Sequence, residues 1–152
     1  MRILLDANIV LRLGHHESPQ HAETAEAIAK LTAQGAGLCI VPQVLYEYWS
    51  VATRPTANNG LGMTVPQTES VLTRWVSLFR LLLDERGVFT HWRDLVVKHA
   101  VHGKLTHDAR LVAAMQRHGL TNLLTFNKPD FARFTSISNF SPAEILAGRL
   151  PT

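Results

Sequence analysis

The chain of 152 residues is poor in several things at once: one cysteine, two tyrosines, and aromatic residues at only 7%. A lone thiol, Cys39, closes no internal disulfide, so no cystine framework holds the fold. It sits in the apolar run Leu38-Cys39-Ile40-Val41 and reads as a small buried thiol, which sets the expectation of a reducing, cytoplasmic setting. Neither a CxxC pair nor a Cys/His zinc spacing is present. The eight histidines do not supply a ligand set either: His15 and His16 are adjacent, and His102 and His107 straddle Gly103, so neither pair stands at i,i+4 on a helix. No apolar stretch approaches the roughly 20 residues of a membrane span, which excludes a helical membrane protein. Arg2 and Asp6 bracket only three aliphatic residues, too early a charge for a secretory signal. Internal repeats and low-complexity tracts are absent as well.

What is present is a globular composition. Apolar residues make up 46% and charged residues 18%, which excludes a disordered chain. The length fits a single domain over residues 1–152 and can bury a sizeable core. A net charge of +3 is a mild basic bias and a weak pointer to nucleic acid.

Apolar runs alternate with helical periodicity along the chain. Residues 2–5 predict a buried strand, and Ala7 to Leu13 a short helix. Ser18-Pro19 opens a longer helix, with Ser18 as its cap, ended by Gly35 and Gly37. Leu38 to Val41 is a second strand, followed by a helix from Pro42 to about Pro55. Residues 54–65, RPTANNGLGMTV, are rich in turn formers and predict a mobile flap. A helix from about Pro66 to Leu78, a strand at 80–83 and a helix over 88–101 come next. Gly103 breaks the chain before a helix that starts at Thr106 or His107 and closes at Gly119. Strands follow at 123–126 and 135–137, and Ser141-Pro142-Ala143-Glu144 starts a last helical turn. Strands separated by helices imply right-handed crossovers and a mainly parallel sheet covered on both faces. Ligands of such sheets bind beyond the carboxyl ends of the strands.

Four acids stand at such places: Asp6 after the first strand, Glu47 about one and a half turns into the next helix, Asp108 at a helix start, and Asp130 after the fourth strand. Each has a structural alternative. Asp6, Asp108 or Asp130 could cap a helix or turn, and Glu47 could be a solvated helix residue. Together they suggest more. Clustered carboxylates stay ionised only beside a cation. An oxygen-only set suits Mg²⁺ or Mn²⁺, which activate water and neutralise a phosphodiester.

LLDAN at the start, the glutamate of PQVLYEYWSVATRP, HDARLVAAM and LTFNKPDF together resemble the PIN-domain ribonucleases, above all the toxins of bacterial VapBC toxin–antitoxin pairs. The likeness extends from residue 2 to about 135. It implies a three-layer α/β/α fold and a Mg²⁺- or Mn²⁺-dependent endoribonuclease that is a homodimer blocked by a cognate antitoxin. Asp6, Glu47 and Asp108 match the family's first three acids. The fourth place holds Asn127 two residues after Thr125, with Asp130 three further on, so the two are taken jointly as that corner. The apolar faces of the two N-terminal helices are the candidate interfaces.

The expected roles follow. Asp6 and Asp108 hold the ion, Glu47 binds through water or orients the nucleophile, and Asp130 with Asn127 completes the site. Thr125 either fixes a carboxylate by a hydrogen bond or merely packs in its strand. Arg12, Arg54, Arg110, Lys128 and Arg133 are candidate contacts to the RNA backbone. Trp49, Trp75 and Trp92 are candidates for base stacking, or else core residues. Two other readings stay open. One is a catalytically silent PIN-like binding module. The other is a receiver-like phosphoacceptor, with Asp84 after strand three and Lys128-Pro129 after strand four.

Overall fold

A computed structural model describes all 152 residues. Five strands form one wholly parallel sheet: β1 Arg2–Leu5, β2 Gly37–Ile40, β3 Arg80–Leu81, β4 Asn122–Leu124 and β5 Ser138–Phe140, in the order β3-β2-β1-β4-β5. The central strand β1 is an aliphatic run because helices cover both its faces. Ile3, Leu4 and Leu5 are buried, and Leu4 pairs with Cys39 on one side and Leu123 on the other.

The helices are α1 Ala7–Gly14, α2 His21–Ala33, α3 Pro42–Thr53, α4 Val65–Leu78, α5 Val88–Lys98, α6 Leu105–His118, α7 Lys128–Phe131 and α8 Pro142–Leu146. The chain steps outward from β1 to β2 and β3, then returns across β1 to β4 and β5. Right-handed crossovers in these opposite directions send α1 to α4 to one face and α5 to α7 to the other. The packing agrees: α1 lies on α2 and α3, α3 on α4, α8 on α2, and α5 on α6. The result is a three-layer α/β/α arrangement with a hydrophobic core of 36 residues in a single cluster. No helix is long and apolar enough to cross a membrane.

Several boundaries differ from expectation for visible reasons. Ser18 does not cap α2. Its Oγ accepts the Gln20 amide and its carbonyl accepts that of His21, so Ser18-Pro19 forms a turn before the helix. The fifth strand lies at 138–140 rather than 135–137, because Ile137 serves as a buried anchor of the preceding turn, its amide bonded to the Phe134 carbonyl. The third strand keeps only two residues, since Leu83 already faces solvent at the sheet's edge.

The segment 54–65 is tied down, contrary to the flap expected of its composition. Leu61, Gly62 and Met63 donate their amides to the carbonyls of Val51, Arg54 and Ala52, zipping the loop to the last turn of α3. Gly60 makes this possible: a Cβ there would stand 2.0 Å from the Arg54 carbonyl oxygen.

Candidate active site

The order of the sheet selects one place. The order of winding reverses between β1 and β4, and in a doubly wound sheet the crevice opens at that point, outside the carboxyl ends of the strands. Asp6 follows β1 there and Thr125 follows β4. The two side chains meet: Thr125 Oγ1 donates to Asp6 Oδ2 at 2.7 Å.

Asp6 is 7% exposed and its two oxygens have different partners. Oδ1 accepts the Ala7 amide at 2.7 Å, so the capping role and the site role coexist in one residue. Oδ2 accepts from Thr125 and from Asn8 Nδ2 at 3.2 Å. Asn8 Nδ2 also donates to Thr125 Oγ1, and Asn8 Oδ1 accepts the Phe126 amide. Thr125 Oγ1 further accepts the Asn127 amide at 3.0 Å. Thr125 is thus a hub that couples the β1 and β4 ends. Asn8 was missed as a site residue, although its place two residues after Asp6 in LLDAN carried the signal.

A cleft of about 310 Å³ opens on this point, lined by Asp6, Asn8, Glu47, Arg54, Asp108 and Asn127 among others. Glu47, Ser50, Val51 and Arg54 reach it from α3 at helical spacing. Asp108 reaches it from the first turn of α6, where no helix amide bonds its carboxylate. Asp130 is exposed on the short helix α7 and does not line the cleft, though its charge is felt at Asp108.

The electrostatics mark the site as crowded. Burial pushes the Asp6 carboxyl up to about 6; bonds from Thr125 and Ala7 oppose this, and the charge of Glu47 adds to it. Burial, then repulsion from Asp130, Asp6 and Glu47, pushes Asp108 up to about 7, against the pull of Lys104. A cation between such neighbours would favour their ionised forms and lower both values. No three acidic, histidine or cysteine side chains converge closely enough to cage an ion alone. An ion here would therefore take no more than one or two of these carboxylates, with waters and substrate oxygens as its other ligands. The donor set of Asp6, Asp108, Glu47 and the Asn127 amide is oxygen-rich and fits it.

The expected cationic residues divide. Arg54 lines the cleft and is exposed, and Arg133 is exposed on the α7 side. Arg12 Nε donates to Gln20 Oε1, and Lys128 Nζ to Glu144 Oε1 at 2.6 Å. Arg110 donates to Gln43 and pairs with Asp84 at 3.2 Å, which commits it within the fold. Trp75 is core at 3% exposure, and Trp92 is fixed by a bond from Nε1 to the Thr106 carbonyl. The receiver-like reading fails on placement. Asp84 follows the edge strand β3, two strands from β1, with Arg110 on its carboxylate, and Lys128 is held by Glu144.

A larger groove of about 630 Å³ runs between α1, α2 and α4, lined by Leu13, Ile28, Val71, Trp75, Leu78 and others. No carboxylate lines it, so the chemistry belongs to the smaller cleft.

Comparison with known proteins agrees with this fold. A family model described as the PIN domain matches residues 3–136. The fold is similar to that of VapBC-1 from nontypeable Haemophilus influenzae, with a TM-score of 0.68, 16% identity, and 94% of this chain and 99% of that one covered. It is similar to DNA-bound VapBC from Salmonella typhimurium, with a TM-score of 0.67, 17% identity, and 93% and 98% covered. It is also similar to the sarcin-ricin-loop-cleaving toxin VapC20 of Mycobacterium tuberculosis, with a TM-score of 0.65, 17% identity, and 87% and 95% covered. No curated protein sequence matches the chain.

Proposed function

The chain belongs to the PIN-domain family, and from that premise we propose that it is a Mg²⁺- or Mn²⁺-dependent endoribonuclease, the toxin of a toxin–antitoxin pair. The observation that carries the reading is the cleft at the switch point of the sheet, lined by the carboxylates of Asp6, Glu47 and Asp108.

In this reading the Asp6 and Asp108 carboxylates would hold the ion. A divalent ion bound there stabilises charge on the phosphodiester and lowers the pKa of water. Thr125 and Asn8 hold Asp6 in one orientation, so it need not reorganise when the substrate arrives. Glu47 Oε1 accepts from Gln43 Nε2 and Oε2 has no protein donor, which suits Glu47 to orient a water and take its proton. The exposed Arg54 at the cleft wall and Arg133 near Asp130 neutralise backbone phosphates on either side.

The partner is a small antitoxin. A solved structure of similar fold is a toxin–antitoxin complex from Klebsiella pneumoniae, and the apolar groove between α1, α2 and α4 gives this chain a face for such a partner. Buried Trp75 Nε1 has no hydrogen-bond partner within the chain and borders that groove.

The test is incubation of partner-free protein with a mixed panel of structured RNAs under Mg²⁺, Mn²⁺ or EDTA, beside Asp6→Asn. Cleavage that needs the ion and disappears in the variant is the expected result. Binding of RNA without cleavage under saturating Mn²⁺ would favour the silent binding module instead.

A further inference from the structure

Gln43 is a polar side chain only 7% exposed, standing one helical turn before Glu47 on α3. Its amide has three partners. Nε2 donates to Glu47 Oε1 at 3.0 Å and to the His107 carbonyl at 2.8 Å. Oε1 accepts from Arg110 Nη1 at 2.9 Å. A guanidinium cannot accept and a carbonyl cannot donate, so only one orientation of the amide satisfies all three. Arg110 is itself held, with Nη2 on Asp84 Oδ2 at 3.2 Å. Gln43 is the one hydrogen-bond donor that reaches the Glu47 carboxylate.

These groups lie in sequence along the carboxyl edge of the sheet. Asp84 follows β3, Gln43 follows β2 and Asp6 follows β1, in neighbouring strands. The line of bonds therefore runs from the rim of the molecule inward to the cleft, tying α6 to α3 on the way.

We propose that Asp84, Arg110 and Gln43 form a positioning relay that fixes the orientation of Glu47, so that a surface carboxylate beyond β3 acts on the cleft through two hydrogen-bonded side chains. The relay rests on the ribonuclease reading for its purpose. Its hydrogen bonds stand without that reading. None of the three touches the reacting atoms. Asp84 keeps Arg110 turned inward, Arg110 fixes which end of the amide faces the cleft, and the amide holds Oε1 of Glu47 so that Oε2 points one way.

Three variants test it. Gln43→Met keeps length and burial but donates nothing, Asp84→Asn releases Arg110, and Asp84→Glu restores the charge. The readouts are Mn²⁺ affinity from the resonance of free Mn²⁺, kcat and KM on RNA, and the Gln43 side-chain NH₂ signals by NMR. Gln43→Met is expected to weaken Mn²⁺ binding or lower kcat about tenfold, with KM for RNA nearly unchanged. Asp84→Asn is expected to act in the same direction by about twofold to fivefold, as suits a half-exposed ion pair, and Asp84→Glu to return to wild-type values. Variants that lose thermal stability yet keep Mn²⁺ affinity and kcat would overturn the relay and leave Gln43 a packing residue. Should wild-type protein neither bind Mn²⁺ nor cut RNA, the ribonuclease reading falls, and the NMR signals judge the relay. A shift and faster solvent exchange of the Gln43 NH₂ in Asp84→Asn would still support it; unchanged signals would overturn it.

Discussion

Thr125 Oγ1 donates to Asp6 and accepts from Asn8 and the Asn127 amide, all inside a fully buried position. Thr125→Val keeps the shape of the side chain and leaves those partners short of a bond. A buried group left unsatisfied costs roughly 1–3 kcal/mol. The melting temperature of Thr125→Val should fall by several degrees, read by calorimetry in EDTA, and metal affinity should fall with it. Asp6 carries a second prediction. Its carboxyl is raised to about 6 from its ordinary value of 3.8, so between those pH values the folded chain binds more protons there than the unfolded one. Stability without metal therefore declines as pH rises from about 4 through 6, and Asp108, raised to about 7, extends the decline. In EDTA the melting temperature should drop between pH 5 and pH 8, and Asp6→Asn should flatten that slope while abolishing cleavage. A flat wild-type profile would show that burial in the fold does not raise the two carboxyls.

At the scale of elements, the stretch after α3 decides how Arg54 meets the cleft. Arg54 ends that helix, and its carbonyl takes the Gly62 amide while Gly60 packs against it. Gly60→Ala forces a Cβ into that carbonyl, and overpacking of this kind costs about 1–3 kcal/mol. The variant should melt lower, become sensitive to protease between residues 54 and 63, and bind RNA more weakly. Composition alone suggested mobility here, because turn formers look the same whether a loop is free or zipped to a helix. The main elements were legible, since Ile3-Leu4-Leu5 and Leu38 to Ile40 are aliphatic runs with turn signals beside them. The edge strand was legible at its start, Arg80, but its end and the place of the fifth strand were not, because those boundaries depend on which neighbour offers a hydrogen bond. Asp6, Glu47 and Asp108 were legible as residues of one cleft through their places after a strand and on helices, whereas Asp130, expected with them, stands outside its lining. Gln43 and Arg110 were not legible, since an uncharged amide and a surface-type arginine carry no pattern until β2 and β3 are neighbours.

For the whole molecule, one consequence joins charge to stability. A cation that binds the folded chain and not the unfolded one stabilises it by mass action. Since protons compete for Asp6 and Asp108, the gain in melting temperature from Mg²⁺ or Mn²⁺ should be small at pH 5 and large at pH 8. A differential scan at both pH values reads this directly. The apolar groove between α1, α2 and α4 makes a separate demand: occupation of it by an antitoxin should change the fluorescence of Trp75, which lies against it.

The most direct test of the account is a calorimetric titration of the partner-free protein with Mn²⁺ at pH 7.5, run beside Asp6→Asn and Asp108→Asn. The account predicts saturable binding that either substitution abolishes, with protons released to the buffer as the ion enters. Binding of equal strength in all three proteins, or none in the wild type, would contradict it.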